Sequence, residues 1–148
     1  MKFRLLISAA ALGSLITFAT LSADDAAPGD DVKCHVSGQK VKAASFVEHN
    51  GGKVYFCCNN CPKEFKANTE KYAAKANHQL AQTKQLTQSA CPITGAKTKA
   101  GTELDVSGVS VAFCCNNCKG KVQSADADKA IELCFGEANK GFKAKVAQ

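Results

Sequence analysis

The sequence predicts an α+β protein built from two small units, each a β-hairpin followed by helix. Three observations lead to this prediction. The chain repeats itself at an offset of 57 residues, and within each repeat the apolar residues change from a strand-like to a helical spacing. In addition, eight of the nine cysteines in the 148 residues recur at that same offset.

The repeat is carried by its cysteine positions. The stretch "VYFCCNNC" at residues 54–61 returns as "VAFCCNNC" at 111–118, and "CHVSG" from Cys34 returns as "CPITG" from Cys91. In both units, 22 residues separate the first cysteine from the cluster. Because the spacing is repeated, the pattern is a strong signal, whereas a single C-x-x-C would be a weak one.

Each unit is predicted to begin with a turn and a hairpin. The pattern C-x-x-[ST]-G favours a tight turn in which Gly38 or Gly95 supplies a positive φ. "ASFVEHNGGKVYFC" then predicts two strands joined by a turn at residues 50–52. "TELDVSGVSVAFC" predicts the same arrangement with its turn near residues 107–108.

Helices are predicted after each cysteine cluster. Pro62 is suited to the first turn of a helix. Asn68 or Thr69 is expected to end a short helix and cap a longer one, and Asp126 or Asp128 to cap a helix in the second unit. The apolar residues that these helices are predicted to bury are Phe65, Tyr72, Ala76, Leu80, Ile131, Phe135 and Ala138.

The N-terminal residues predict export. Lys2 and Arg4 form a basic start, residues 5–21 are uncharged and mostly apolar, and Ala23 is a small residue at a plausible cleavage position. A membrane anchor is the alternative, because this stretch is close to the lower length limit for a span. Its many small and hydroxyl residues favour cleavage. We therefore expect a periplasmic or secreted protein with no membrane span after the signal is removed.

The predicted organisation follows from the leader and the repeat. It comprises a signal peptide at 1–23, a linker at 24–32, a first unit at 33–86, a second unit at 87–140, and a loosely ordered tail at 141–148.

Composition argues against several classes of function. After removal of the leader the chain has 17 lysines against 13 acidic residues, a net charge of +4, and no arginine. Nucleic-acid-binding proteins usually rely on arginine for bidentate contacts, so no nucleic-acid partner is expected. The sequence shows no Ser-His-Asp set, carboxylate pair or glycine-rich phosphate loop that would indicate a hydrolase or a kinase. We therefore predict that the protein is not an enzyme.

The cysteines predict a metal site in each unit. A hairpin brings the first turn beside the strand end, so thiolates from both places can converge, and sulfur ligands select soft or borderline ions. We expect one zinc or Cu(I) ion per unit: four thiolates would suit zinc and three would suit Cu(I). The candidate ligands are Cys34, Cys57, Cys58 and Cys61 in the first unit and Cys91, Cys114, Cys115 and Cys118 in the second.

The fourth ligand is the open question. Adjacent strand residues point to opposite faces, so Cys58 joins Cys57 only if the strand breaks there. Ser37 and Thr94 stand where a C-x-x-C-G knuckle would place its second thiol. Cys134 has no counterpart in the first unit, and it is predicted either to complete the second site or to be a small buried residue.

Histidines are weaker candidates for the fourth ligand. His35 and His49 could serve in the first unit, but neither recurs in the second, so both are interpreted as surface residues. His78, on the long predicted helix, is expected to be exposed.

The stretch "YFCCNNCPKEFKANTEKY" at 55–72 closely resembles the YHS domain and the related TRASH domain. The TRASH pattern of a cysteine, a spacer and C-x-x-x-C is matched by Cys34, Cys57 and Cys61. The second unit matches more loosely after its cluster. The resemblance implies treble-clef-like or zinc-ribbon-like units, heavy-metal handling, and a metal transporter or another periplasmic protein as partner.

Two alternatives remain from the residues themselves. Exported cysteine-rich chains are often disulfide frameworks, so a disulfide-stabilised interaction module is the first. Adjacent thiols with a third one helical turn away are unusual for such a framework. The second alternative is a thiol-disulfide oxidoreductase, since Cys58 and Cys61 have disulfide-exchange spacing at a predicted helix start.

Overall fold

A computed structural model describes residues 28–137 and 139–145. Within these residues the chain forms four helices and six short strands, and the predicted α+β class with two small units, each a hairpin followed by helix, is confirmed. In chain order the elements are β1 (Lys42–His49), β2 (Gly52–Phe56), α1 (Cys61–Ala67), α2 (Thr69–Gln82), β3 (Leu86–Gln88), β4 (Leu104–Val106), β5 (Val109–Val111), α3 (Asn116–Gln123), α4 (Ala127–Phe135) and β6 (Phe142–Ala144).

Both predicted hairpins are present. Strand β1 pairs antiparallel with β2, and β4 pairs antiparallel with β5. Asn50 and Gly51 connect the first pair at φ values of 48° and 77°, and Ser107 and Gly108 connect the second at 52° and 87°. Two consecutive positive φ values define the tight turn that matches the twist of a hairpin.

The helix boundaries agree with the sequence signals. Helix α1 begins at Cys61 with Pro62 in its first turn, and Asn68 separates it from α2. Asn68 occupies the N-cap position of α2, but the structure has no side-chain capping hydrogen bond there. Asp126 caps α4, because its carboxylate accepts the backbone N–H of Lys129 at 2.8 Å. Of the predicted helical core residues, Phe65, Ala76, Leu80, Ile131 and Phe135 are buried, Tyr72 is half-buried, and Ala138 lies outside the described residues.

Each unit has its own core, made of equivalent residues. Val54, Phe56 and Phe65 are buried in the first unit, and the positions 57 residues later are buried in the second. Those counterparts are Val111, Phe113 and Val122. The same apolar positions therefore surround both cysteine clusters.

Glutamine side chains hydrogen-bond to the backbone of the strand that leads into the first cluster. Gln79 is 1% exposed; its Oε1 accepts the N–H of Tyr55 at 2.6 Å, and its Nε2 donates to the Tyr55 carbonyl at 3.0 Å. Gln85 binds the N–H and C=O of Lys53 in the same way, at 2.6 and 2.9 Å. These amides act as a substitute for a third strand along β2, because buried backbone groups need partners.

The two units pack against each other through α2. Asn77 Nδ2 donates to the carbonyl of Phe135 at 2.8 Å, and His78 Nε2 lies 3.0 Å from the carbonyl oxygen of Val106. The expectation that His78 is exposed was wrong: the residue is 7% exposed, and its ring meets that of Phe135 edge-on at 5.1 Å. The helix pattern alone did not reveal this, because the covering surface belongs to the other unit.

The C-terminal segment forms a strand that pairs with the end of the first unit. Strand β6 pairs antiparallel with β3, with Leu86 opposite Ala144 and Gln88 opposite Phe142. The expected loose tail was therefore wrong for residues 142–144. The two strands occupy nearly equivalent places at the ends of the two units, and each supplies the other with a partner for its backbone. In the described part of the chain, no helix has both the length and the apolar character needed to cross a membrane.

We predict that Gln79→Glu destabilises the protein by about 2 to 4 kcal/mol, because a carboxylate cannot donate to the buried carbonyls that Nε2 serves and is itself costly to bury. Urea unfolding of the reduced, metal-free chain measures the change. Gln123→Glu at the exposed end of α3 is the matched control, with an expected change within about 0.5 kcal/mol. Equal stability of the two variants would contradict the role assigned to Gln79.

Candidate metal centres

Three structural elements supply the thiols of the first centre. Cys34 opens a turn in which Gly38 N donates to the Cys34 carbonyl at 2.7 Å and Cys34 N donates to the Gln39 carbonyl at 2.8 Å. Cys57 directly follows β2, and Cys61 is the first residue of α1. Gly38 has a φ of 75°, as the turn pattern predicts.

These elements bring three sulfurs together. The Sγ atoms of Cys34, Cys57 and Cys61 all lie within 4.8 Å of one another, and those of Cys57 and Cys61 are 3.6 Å apart. Cys34 and Cys61 are buried, whereas Cys57 is half-buried. The triad is thus reached from the side on which Cys57 lies.

The second unit repeats this centre. The Sγ atoms of Cys91, Cys114 and Cys118 lie within 4.8 Å of one another with the same order of burial, and those of Cys114 and Cys118 are 3.7 Å apart. The turn is held in the same way, by Gly95 N donating to the Cys91 carbonyl at 2.8 Å.

The donor sets fit a thiophilic ion. A tetrahedral ion about 2.3 Å from each thiolate holds its sulfurs about 3.8 Å apart. The Cys57–Cys61 and Cys114–Cys118 separations of 3.6 and 3.7 Å are close to this value, and the other sulfur pairs of each triad lie within 4.8 Å. All nine cysteines lie in the described residues and are free thiols. Each triad can therefore hold one metal ion, and thiolate sulfur restricts the choice to soft or borderline ions.

The adjacent cysteines lie beside the triads. Cys58 is exposed, and its Sγ is 3.4 Å from that of Cys61 but is not in the mutual 4.8 Å group. Cys115 is half-buried, with its Sγ 3.8 Å from that of Cys114, and is likewise outside the second group. The structure thus brings together three of the four candidate ligands in each unit, and the ligand role of the fourth stays a prediction.

In each triad, hydrogen bonds lower the pKa of the thiol that lies in the turn. Burial acts to raise the pKa of Cys34, but hydrogen bonds from the backbone of Cys57 and from Ser37 outweigh burial and lower that pKa to about 7. The pKa of Cys91 is lowered to about 6 by the equivalent contacts of Cys114 and Thr94, again against burial. One sulfur in each triad is therefore readily available as a thiolate.

The thiol at the start of each helix has the opposite preference. Burial and the neighbouring thiols raise the pKa of Cys61 well above the ordinary value, and they raise the pKa of Cys118 to about 12. In the metal-free protein these two thiols therefore keep their protons.

The remaining candidates lie outside both triads. His35 and His49 are half-buried, so the expectation that both are surface residues was wrong; their rings pack against Phe56 and Phe65. Within the described chain, the Nε2 atom of each has no hydrogen-bond partner. Cys134 is fully buried in the second core, where burial raises its pKa to about 12.

Comparisons with protein-family models, with curated proteins and with solved structures gave no significant match for this chain. The resemblance to YHS and TRASH domains therefore depends on the cysteine spacing and the stretch at 55–72, and it stays a prediction.

We predict that the reduced, metal-free protein becomes more stable as the pH rises from about 7 to about 9. In this range Cys34 and Cys91 are ionised in the folded chain but protonated in the unfolded chain, so unfolding takes up protons and raising the pH opposes it. Above about pH 9 the stability should fall, since Cys61 and Cys118 then lose protons only on unfolding. Urea unfolding at a series of pH values measures both trends.

The double variant C34S/C91S is the control for this pH dependence. It should lose the part of the rise that Cys34 and Cys91 contribute, because serine does not ionise there, and it should keep the part that comes from the lowered pKa values of Cys58 and Cys115. A rise of the same size in the variant would contradict the assignment.

Proposed function

We propose that this protein is an exported metal-binding protein that captures one thiophilic cation, zinc or Cu(I), in each of its two cysteine triads, for buffering, delivery or sensing. The observation that carries this proposal is the convergence of Cys34, Cys57 and Cys61, and of their three counterparts in the second unit, into two equivalent sulfur clusters.

The electrostatics of the triads support capture. Metal binding requires thiolates, and each triad already has one sulfur of lowered pKa. An ion entering past the half-buried Cys57 would meet the Cys34 thiolate and then displace the proton of Cys61. Binding should therefore release protons and strengthen as the pH rises.

Metal capture would also stabilise the fold. The three ligands of each triad come from a turn, a strand end and a helix start, and an ion would bind these segments to one another. Because an assembled triad does not exist in the unfolded chain, the free energy of binding adds to the free energy of folding.

Two predictions from the sequence support the wider proposal. The similarity of the first unit to YHS and TRASH domains agrees with metal handling. The leader-like residues 1–23, which lie outside the described residues, agree with a periplasmic or secreted location, where a metal transporter or another periplasmic protein would be the partner.

We predict that the full chain, purified reduced and without oxygen, binds two equivalents of zinc or Cu(I). C61S and C118S should each bind one equivalent, and C61S/C118S none, because each substitution removes one sulfur from one triad. C134A is the control and should still bind two. Metal analysis with thiol titration measures the stoichiometry, and native mass spectrometry resolves the species.

Eight thiols held as disulfides in the isolated protein, with no metal bound after reduction, would contradict the proposal and favour the disulfide-stabilised interaction module. Loss of metal from the wild type on treatment with a chelator should also lower the midpoint of thermal unfolding, with recovery on re-addition of the ion.

We predict that expression of the full chain in a bacterial host yields a processed protein in the exported fraction. Its intact mass should correspond to a chain beginning at Asp24, since Ala23 supplies the small residue before the cut. Ala23→Leu should block processing, because it removes the small residue before the cut. An uncleaved, soluble, cytoplasmic product would contradict export.

A thiol-disulfide oxidoreductase is the second candidate, and one observation favours it. Cys58 is exposed, and hydrogen bonds from the backbone of Cys61 and Asn60 lower its pKa to about 7, while Cys61 lies 3.4 Å away with a raised pKa. An exposed thiolate followed by a buried thiol is the arrangement that disulfide exchange uses.

In that reaction the Cys58 thiolate would attack a substrate disulfide and release one substrate thiolate. Cys61 would then displace the second, leaving a Cys58–Cys61 disulfide and a reduced substrate. A disulfide-reduction assay decides between the candidates: turnover that C58S/C115S abolishes favours the enzyme, and stoichiometric metal binding without turnover favours metal capture.

A further inference from the structure

A hydroxyl group lies on the accessible side of each triad, at the same place in both units. Ser37 Oγ is 3.0 Å from Cys57 Sγ, and Thr94 Oγ1 is 3.3 Å from Cys114 Sγ. Both residues are exposed, and they stand 57 residues apart, at equivalent positions of the repeat. The contact is therefore a feature of the repeated centre.

The turn holds each hydroxyl in position. Gln39 N donates to Ser37 Oγ at 3.3 Å, and Ala96 N donates to Thr94 Oγ1 at the same distance. Each oxygen thus accepts a backbone N–H, and its own O–H remains available to donate to a sulfur.

This is the place that a fourth sulfur would occupy. In four-thiolate zinc sites, two ligands commonly come from a turn with the spacing C-x₂-C. Here the turn carries Cys34 and then, at the second ligand position, Ser37. Serine and cysteine both carry their heteroatom on Cβ, so a cysteine at this position would direct its sulfur toward the same triad.

We infer that Ser37 and Thr94 are specificity-determining residues, which hold each centre at three sulfurs and so favour Cu(I) over zinc. The inference rests on the proposed metal binding and adds the choice of ion. A neutral hydroxyl is a poor substitute for a thiolate, and structural zinc requires four ligands. Cu(I) is soft and is satisfied by thiolate sulfur alone. The hydroxyls can also donate hydrogen bonds to the bound thiolates and so stabilise the negative charge of a three-thiolate complex.

Cys58 is the competing source of a fourth sulfur, and Cys115 is its counterpart. Both have a sulfur within 3.8 Å of one triad member, but neither belongs to the mutually close group. The experiment therefore has to test these two thiols separately from the turn position.

The test compares the full-length wild type with S37C/T94C, S37A/T94A and C58S/C115S under reducing, oxygen-free conditions. Affinities for zinc and Cu(I) are measured by competition with chromophoric chelators, and X-ray absorption spectroscopy counts the sulfurs around each ion. S110C, which adds an exposed thiol on β5, is the matched control for a new cysteine. Unfolding curves verify that every variant is folded.

We expect S37C/T94C to raise the zinc affinity by at least about tenfold and to change three sulfurs into four, while its Cu(I) affinity changes much less. S37A/T94A should keep three sulfurs but bind Cu(I) about tenfold more weakly, as is typical when a hydrogen bond to a metal ligand is removed. C58S/C115S and S110C should leave the sulfur count of the wild type unchanged.

Two results would overturn the inference while leaving metal capture intact. One is a wild type that binds zinc with four sulfurs and loses one in C58S/C115S. The other is an unchanged ratio of zinc to Cu(I) affinity in S37C/T94C. A wild type that binds neither ion would instead overturn the proposed function, and the inference with it.

Discussion

Much of the first centre depends on one buried amide. Gln79 Nε2 donates to the carbonyl oxygens of Lys33 and Tyr55, and Oε1 accepts the N–H of Tyr55. Lys33 precedes Cys34, and Tyr55 stands two residues before Cys57. A single side chain of α2 thus joins the two segments whose ends carry the turn thiol and the strand-end thiol. Since Gln79 is buried, water cannot replace these hydrogen bonds, and the geometry of the triad is coupled to the packing of the helix.

The second unit reaches the same result with different residues. The position equivalent to Gln79 is Gly136, which has no side chain. Instead Thr102 Oγ1 accepts the N–H of Phe113 at 3.0 Å, and Gln88 pairs with the N–H and C=O of Ala112 at 2.9 and 2.6 Å. Thr102 is itself 3% exposed. Both units therefore satisfy the backbone just before the cluster with side chains, because a two-stranded hairpin leaves one buried edge without a strand partner.

Each centre combines a rigid interior with an accessible side. In the first centre the turn thiol, Cys34, and the helix-start thiol, Cys61, are buried. The outward-facing groups are the strand-end thiol of Cys57, the hydroxyl of Ser37 and the adjacent Cys58. Buried ligands limit how far the sulfurs can separate, which restricts the size and coordination of the ion. The outward groups are those that an ion approaching from solvent would contact first. This side is therefore the one from which the triad can be reached.

The sequence by itself determined the two units, their hairpins, the helix starts and the pairing of a turn cysteine with a distant cluster, because these features follow from local spacing and from the repeat. Only the tertiary structure decided that the units pack together, that His78 is buried between them, and that residues 142–144 form a strand. It also decided which thiols converge and that Ser37 contacts a sulfur. Such features depend on surfaces far apart in the chain, whose mutual burial leaves no periodic pattern in either segment.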